Sequence, residues 1–391
     1  MNSGEAAKTR PQGRLSWKRK LLFTLCLLLL CWLVAELMFR IAGFDFADPE
    51  RALEKVPPFY RIPTEAVGTY AYHRPAGLHW QGRPLKTQLR LQGFSDPAYD
   101  REAEVRIDYD KDGFRNPSAM PDWSLVFVGD SFTELGHLPS EHLFTSIVAA
   151  GSGRTVKNLG TSYTGPLTHL AYLEHYGLAA ETRDAVLVFF EGNDLDDLVA
   201  EGARQAQATR SGYKHGNLFQ THVPQRSLTR ALFNSLGNLS ASPQLSAANA
   251  TYEVAGQRQR VTVNYAPHEM QVGGQRWELM LEALDRWVQL CEEHELQAWF
   301  LYMPCKHRVL HPFLHVDTDA HPVLRSWKPG GLPDQLSRLC ENRQVIFLDA
   351  TAVLQRSAAE GQLPYNTVFD THLNERGSRQ VGELFLARMR Q

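Results

Sequence analysis

The sequence has almost no net charge, few cysteines and only one long apolar run. Its 41 basic and 43 acidic side chains nearly cancel, and no basic stripe is present, which argues against nucleic-acid binding. A mean hydropathy of −0.33 excludes a membrane protein with many spans. The composition, 43% hydrophobic and 21% charged, is that of a globular protein and excludes wholesale disorder, collagen and coiled coil.

The apolar run, Leu21–Ala35, continues more weakly as far as Gly43. As a helix, residues 21–43 would extend about 34 Å, which is enough to cross the core of a bilayer. The basic cluster Lys18–Lys20 directly precedes the run, and positive charge favours the cytoplasmic side. The sequence therefore predicts a single-pass anchor in the cell inner membrane, with a cytoplasmic N-terminus and residues 44–391 in the periplasm or outside the cell.

A cleaved signal peptide is the competing interpretation of the same run. Its apolar core would fit Leu21–Ala35, but no small-x-small cleavage pattern follows, because the next residues are Glu36 to Arg40. We therefore favour an uncleaved signal anchor. Three cysteines lie beyond it, Cys291, Cys305 and Cys340, so one disulfide and one free thiol are compatible with the sequence, with no pairing fixed.

The amino-acid composition and the hydropathy pattern change along the chain and divide it into four regions. They are a cytoplasmic basic tail (1–20), the transmembrane signal anchor (21–43), a stalk with a small β-rich preface (44–120), and an α/β domain (121–391) with an insertion at about 200–273. In the preface, Leu85–Leu91 and Glu104–Tyr109 alternate as strands do. Within the insertion, the Ser-, Ala-, Asn- and Gln-rich stretch Asn234–Gln259 indicates a loop or lid.

In the α/β domain, short apolar runs alternate with longer helical patterns. The predicted strands are Leu125–Val128, Val156–Leu159, Ala185–Phe190, Ala298–Met303 and Val345–Leu348. The predicted helices are His142–Ala150, Leu167–Tyr176, Arg276–Glu295, Leu332–Glu341 and Asn374–Met389. This alternation predicts a five-stranded parallel sheet with helices on both faces, a three-layer α/β/α sandwich.

Polar clusters follow four of these elements. They are Gly129–Thr133, Asn158–Ser162, Glu191–Asp194 and Phe369–Asn374. Ligands of open α/β sheets bind beyond the carboxyl ends of the strands. We therefore expect the four clusters to meet at one edge of the sheet.

Together the clusters supply what acyl transfer requires. Ser131, at a strand-to-helix turn, is the candidate nucleophile, His372 the candidate base, and Asp370 the acid that orients the base. The backbone N–H groups of Ser131 and Gly160 and the side-chain amide of Asn193 are the candidate oxyanion donors.

In this order, Gly129-Asp130-Ser131, Gly160, Asn193 and His372 resemble the four blocks of the SGNH (GDSL-type) hydrolases. The resemblance covers about residues 120–391, and Tyr109–Pro117 is similar to the lead-in of membrane-anchored bacterial members. It implies a flavodoxin-like fold with strand order 2-1-3-4-5, and ester hydrolysis or acyl transfer without a cofactor. It assigns Ser131, His372 and Asp370 the catalytic roles given above.

Two departures bear on function. Glu191 stands where the family has glycine, which would alter the wall beside Asn193. Asp370 precedes His372 by two residues, where many esterases have three. The shorter spacing resembles SGNH domains of polysaccharide O-acetylation systems and leaves open hydrolysis or transfer.

Two patterns imitate metal sites. Asp108-x-Asp110-x-Asp112-Gly113 begins like a calcium loop, but Ala119 occupies the position of the bidentate glutamate, so a turn is favoured. His311 and His315 have a spacing that suits zinc on a helix, but Pro312 interrupts the segment. We expect no metal there and a loop that faces the substrate.

The sequence thus predicts a membrane-anchored serine esterase that cleaves O-acyl esters outside the cytoplasm. An acylated glycan as the partner rests on the resemblance and on the location. One alternative is an O-acyltransferase that acetylates an exported polysaccharide and takes its acyl group from a membrane donor protein. Another is a non-catalytic glycan-binding or scaffold protein on the same fold.

Overall fold

The structure is a computed structural model, and it describes residues 16–42, 74, 76–86, 99, 101–162, 164–211, 227–229, 232, 248–368 and 370–391. The strands are β1 (His79–Gly82), β2 (Val105–Asp108), β3 (Leu125–Gly129), β4 (Val156–Gly160), β5 (Asp184–Phe190), β6 (Ala250–Val254), β7 (Gln257–Val261), β8 (Gln297–Met303), β9 (Leu314–Val316) and β10 (Ile346–Asp349).

The α-helices are α1 (Trp17–Ile41), α2 (Ser131–Glu134), α3 (Phe144–Ser152), α4 (Pro166–Tyr172), α5 (Asp194–Ser211), α6 (Gln275–Glu293), α7 (Lys306–Leu310), α8 (Pro322–Ser326), α9 (Leu332–Glu341), α10 (Thr351–Ala359) and α11 (Glu375–Met389). The chain forms two compact units. Residues 1–53 and 224–242 make the first, and 54–223 with 243–391 make the second.

The first unit contains α1, which begins four residues before the predicted span. The helix has 25 residues, and its apolar window has a hydropathy of 2.5 with no residue buried in the protein. Thr229, from the later part of the unit, accepts a hydrogen bond from Trp32 Nε1 (3.0 Å) and donates its N–H to Glu36 (3.1 Å). By length and composition α1 can cross a membrane, although a secretion signal has the same properties.

In the second unit, the central sheet has the strand order β4-β3-β5-β8-β10, with every neighbouring pair parallel. In order of appearance this is 2-1-3-4-5, so the predicted five-stranded parallel sheet and its order are confirmed. The register places Gly129 beside Gly160, at the carboxyl ends of β3 and β4. These ends carry the first two polar clusters.

Alternating side chains of the strands build two separate cores. Leu125 and Phe127 of β3 face one core, with α3, α10 and α11 packed against it, while Val126 and Val128 face the other, with α4, α5, α6 and α9. Since successive strand residues point to opposite faces, a central strand such as β3, which is buried on both sides, is apolar along its length. The predicted three-layer α/β/α sandwich follows from this burial.

The preface is only partly a β structure. β1 and β2 form an antiparallel pair, and β2 lies within the predicted strand Glu104–Tyr109. The predicted strand at Leu85–Leu91 is wrong at its start, because residues 84–86 are helical, and 87–91 lie outside the described residues. Asp110 accepts the N–H groups of Asp112 and Phe114, which makes the turn expected from the sequence. The other oxygen of the Asp110 carboxylate forms a salt bridge with Lys157 Nζ at 2.6 Å, so a side chain of the protein supplies the positive partner of this carboxylate.

The insertion holds more regular structure than its composition suggests. The composition of Asn234–Gln259 predicts a loop or lid, but in its last part β6 and β7 form a hairpin around Ala255 and Gly256, both with positive φ. β9 pairs with β6 and completes a small three-stranded sheet. In this part of the insertion, hydrogen bonds between strands thus produce regular structure despite the polar composition. Residues 233–247 lie outside the described residues.

The three cysteines of the second unit are all free and buried, so the disulfide that the sequence allowed is absent among them. Cys305 lies in one core, and Cys291 and Cys340 lie in the other. Burial raises the pKa of each of these thiols.

Candidate active site

Ser131 is the first residue of α2 and follows β3 after a sharp turn. Asp130 caps the short helix, because its side chain accepts the N–H of Phe132 at 2.8 Å. The half-buried Ser131 hydroxyl lies 2.8 Å from Nε2 of His372. The turn therefore presents the hydroxyl to the imidazole within hydrogen-bond reach.

His372 and Asp370 come from the loop that precedes α11. Nδ1 of His372 lies 3.2 Å from both oxygens of Asp370. The backbone N–H of His372 donates to the same carboxylate at 2.8 Å. The two-residue spacing lets one carboxylate hold both the main chain and the ring of His372, which fixes the ring orientation. Phe369, in the same predicted cluster, lies outside the described residues.

The electrostatics of the pair favour an ionised acid beside a basic imidazole. Burial by itself raises the pKa of Asp370, but His372 and Asn366 lower it well below its ordinary range. Burial lowers the pKa of His372, and the carboxylates of Asp370, Asp130 and Glu134 together more than offset this, with Asp370 contributing most, so the net shift is upward. With its side chain a quarter exposed, His372 can exchange protons with solvent and with Ser131.

The N–H of Ser131 has no acceptor among the described residues. Asn193, just before α5, donates one hydrogen of its Nδ2 to Asp197, which leaves the second hydrogen of the amide for another acceptor. The Asp197 carboxylate therefore fixes which atom of the amide is the donor. Both Ser131 and Asn193 are half-buried at the carboxyl edge of the sheet.

Gly160, the third candidate oxyanion donor, is bonded within the protein. Its N–H donates to Oδ1 of Asn158 at 2.8 Å and so has an acceptor within the protein. A Cβ at this position would lie 2.3 Å from the backbone nitrogen of Glu134. The residue is glycine because α2 packs directly on the end of β4, which is a packing requirement.

Glu191, which stands where the SGNH hydrolases have glycine, does not form the wall beside Asn193. Its buried carboxylate pairs with Arg308 at 2.6 Å and accepts the N–H of Cys305 at 3.0 Å. These contacts connect the end of β5 to the start of α7. Asp194 braces the same turn by accepting the N–H of Phe190 at 2.8 Å.

Several residues of the site carry no signal in the sequence. Asn366 donates to Asp370 Oδ1 at 3.0 Å. Behind Ser131, the buried carboxylate of Glu134 accepts from Arg74 (2.7 Å) and from the hydroxyl of Tyr109 (2.9 Å). Burial raises the pKa of Glu134, but Arg74 and further donors bring it down to about 2. A polar residue in a loop or preface has no periodicity, so only its contacts identify it.

The two histidines whose spacing suits zinc on a helix do not share a helix. His311 lies in a short 3-10 turn and His315 in β9. Among the described residues, the group of three possible ligands close enough for one ion is His137, Asp370 and His372, within 4.8 Å of one another. An ion there would bind Asp370 and His372, which are the candidate acid and base for Ser131.

A serine hydroxyl bonded to an imidazole, which is itself oriented by a carboxylate, can be deprotonated as it attacks a carbonyl carbon. The N–H of Ser131 and the amide of Asn193 are able to donate to the oxygen that becomes negative. The arrangement suits nucleophilic acyl substitution.

No protein-family model and no curated protein matches the sequence. Solved structures with a similar course of the chain include a member of the lipolytic G-D-S-L family from Veillonella parvula, at 12% identity and a TM-score of 0.36, covering 68% of this chain and 98% of that one. A carbohydrate acetylesterase from Sinorhizobium meliloti has 11% identity and a TM-score of 0.32, covering 69% and 99%. A lipase/acylhydrolase from Enterococcus faecalis has 12% identity and a TM-score of 0.34, covering 68% and 95%.

Proposed function

We propose that this protein is a serine esterase of the SGNH type that hydrolyses O-acyl esters through an acyl-enzyme. The observation that carries the proposal is the chain of contacts from Ser131 Oγ to His372 Nε2 and from His372 Nδ1 to Asp370. A carboxylate that holds an imidazole beside a hydroxyl gives the imidazole the correct tautomer to accept the hydroxyl proton.

In the first half-reaction, Ser131 Oγ attacks the ester carbonyl carbon while His372 Nε2 takes its proton. Asp370 stabilises the imidazolium that forms. The N–H of Ser131 and Nδ2 of Asn193 donate to the oxyanion, and the alcohol leaves with the proton from His372. The product is Ser131 acylated at Oγ.

In the second half-reaction, His372 removes a proton from water as the water attacks the acyl-enzyme. The carboxylic acid is released and Ser131 regains its proton. If the hydroxyl of a sugar replaced water, the same steps would transfer the acyl group and make the protein an O-acyltransferase.

For the substrate we propose an O-acylated glycan outside the cytoplasm. We also propose that α1 is an uncleaved membrane anchor with the N-terminus in the cytoplasm. The support for this orientation is the basic cluster Lys18–Lys20 in the first turn of α1, directly before its apolar run. An alkaline-phosphatase fusion after Gly43 is expected to be active, and an inactive fusion would contradict the orientation.

The experiment compares the wild type with Ser131→Ala on p-nitrophenyl acetate and with a fluorophosphonate probe. The wild type should release p-nitrophenol and be labelled, and Ser131→Ala should do neither. Ser326→Ala, which alters an exposed serine, is the matched control and should behave as wild type. Labelling that survives Ser131→Ala would refute the assignment, and turnover that requires a sugar acceptor would favour the transferase.

A further inference from the structure

Lys306, the first residue of α7, is a buried lysine with only 1% of its surface exposed. Its Nζ donates to three backbone carbonyl oxygens, those of Thr262 (2.9 Å), Thr367 (3.0 Å) and Asp370 (3.1 Å). None of these acceptors is a carboxylate, so the side chain serves main-chain oxygens.

The three acceptors match the three hydrogens of an ammonium group. Thr262 directly follows β7 of the insertion hairpin, whereas Thr367 and Asp370 belong to the loop that carries the acid and the base. Lys306 thus ties that loop both to the end of β8 and to the hairpin. A neutral apolar side chain would leave three buried carbonyl oxygens without this donor.

The bond to Asp370 acts close to the reacting groups. The backbone oxygen of Asp370 is held by Lys306, while its side chain holds the N–H and Nδ1 of His372. Asn366 donates to the same carboxylate from the other side of the loop. The peptide after Asp370 therefore cannot rotate without losing its bond to Lys306, and this bond favours the orientation in which the Asp370 carboxylate reaches His372.

We propose that Lys306 is a positioning residue for the acid and base, holding the Asp370 peptide so that the carboxylate stays on His372 Nδ1. The proposal rests on the proposed esterase function. The three bonds of Lys306 go to backbone oxygens, so its effect reaches Ser131 through Asp370 and His372.

The test uses the full chain in detergent and the variant Lys306→Met, which keeps the length of the side chain but removes all three donors. Lys157→Met is the matched control, because Lys157 is also buried but pairs with Asp110 and, among the described residues, has no bond to the loop that carries Asp370 and His372. Activity is expressed per folded molecule, with folding followed by circular dichroism. We expect Lys306→Met to lower kcat on p-nitrophenyl acetate by about tenfold or more with KM within about twofold, and Lys157→Met to leave both unchanged.

The second readout is the pKa of His372, followed by NMR of histidine-labelled protein and assigned with His372→Gln. The carboxylate raises this pKa, so its displacement in Lys306→Met should lower it, whereas simple removal of a nearby positive charge would raise it. Lys306→Gln keeps an amide donor, so its kcat and its His372 pKa should lie between those of the wild type and of Lys306→Met. This variant replaces Lys306→Met in the test if Lys306→Met does not fold.

An unchanged kcat per folded molecule, or a His372 pKa that stays constant or rises, would overturn the proposal and leave Lys306 as a purely structural residue. A wild type that neither cleaves esters nor reacts with fluorophosphonate would instead refute the proposed function. The NMR comparison would still decide whether Lys306 holds the acid against the base.

Discussion

The hydroxyl of Ser131 lies 2.8 Å from Nε2 of His372, although 241 residues separate the two in the chain. Ser131 ends the first strand-to-helix turn of the sheet, and His372 lies in the loop before the last helix. The parallel sheet places the Ser131 turn at its carboxyl edge, and the loop between α10 and α11 brings His372 to it. The contact has a chemical meaning that neither residue has alone.

The first prediction concerns the acid. Asp370→Asn should lower kcat/KM by on the order of 10³, because the amide keeps the shape of the carboxylate but neither stabilises the imidazolium nor fixes the correct tautomer. Steady-state hydrolysis of p-nitrophenyl acetate measures the effect. Asp285→Asn, in an exposed aspartate, is the control and should match wild type. Full activity of Asp370→Asn would remove Asp370 from the mechanism.

The second prediction concerns pH. His372 must be neutral to take the proton of Ser131, and the pKa of His372 lies above its ordinary value of about 6.5 because Asp370 favours the charged form. The kcat/KM of the wild type should therefore rise with pH, with its midpoint above 6.5. In Asp370→Asn the residual activity should have a lower midpoint. A wild-type midpoint well below 6.5 would show that the carboxylate does not act on the base.

The third prediction concerns the packing of Gly160. Gly160→Ala retains the backbone N–H but places a Cβ 2.3 Å from the nitrogen of Glu134, so the free energy of unfolding should fall by about 1–3 kcal/mol. Thermal unfolding measures this change. Gly202→Ala, whose Cβ would meet Leu279 at an ordinary 3.4 Å, should not destabilise the protein. Equal unfolding temperatures for the two variants would contradict the packing role.

The fourth prediction concerns the preface. Arg115 donates to the carbonyl oxygens of Leu135 (2.7 Å) and Leu138 (2.8 Å), directly after α2. Leu135 has a φ of +42°, a left-handed conformation that a leucine keeps only when its surroundings hold it. Arg115→Met should therefore reduce stability by roughly 3 kcal/mol and also slow the labelling of Ser131 by fluorophosphonate.

The control for this prediction is Arg106→Met, because the side chain of Arg106 is 69% exposed and bonds only to Asp108 among the described residues. It should keep the stability and the labelling rate of the wild type. If Arg115→Met labels Ser131 as fast as wild type does, the preface supports the fold without shaping the nucleophile turn.

The sequence by itself determined the architecture of the sheet and the set of turns that carry the chemistry. Runs such as Val126–Val128 are apolar at every position, as burial on both faces requires, and the polar residues begin where each strand ends. Parallel strands place such turns at one edge, so the approach of Ser131 and Asn193 could be predicted from the order of the elements. His372 lies beyond α10, a helix that the sequence patterns did not predict, so strand order alone does not place it.

Only the tertiary structure decided which groups at that edge are available. The N–H of Gly160 points to Asn158, and the carboxylate of Glu191 is taken by Arg308, although both residues lie in the predicted clusters. The roles inferred for Lys306 and Arg115 likewise depend on carbonyl oxygens from distant segments. Hydropathy patterns report burial along the chain, whereas the direction of a hydrogen bond depends on which loops meet in space, and that is set by packing.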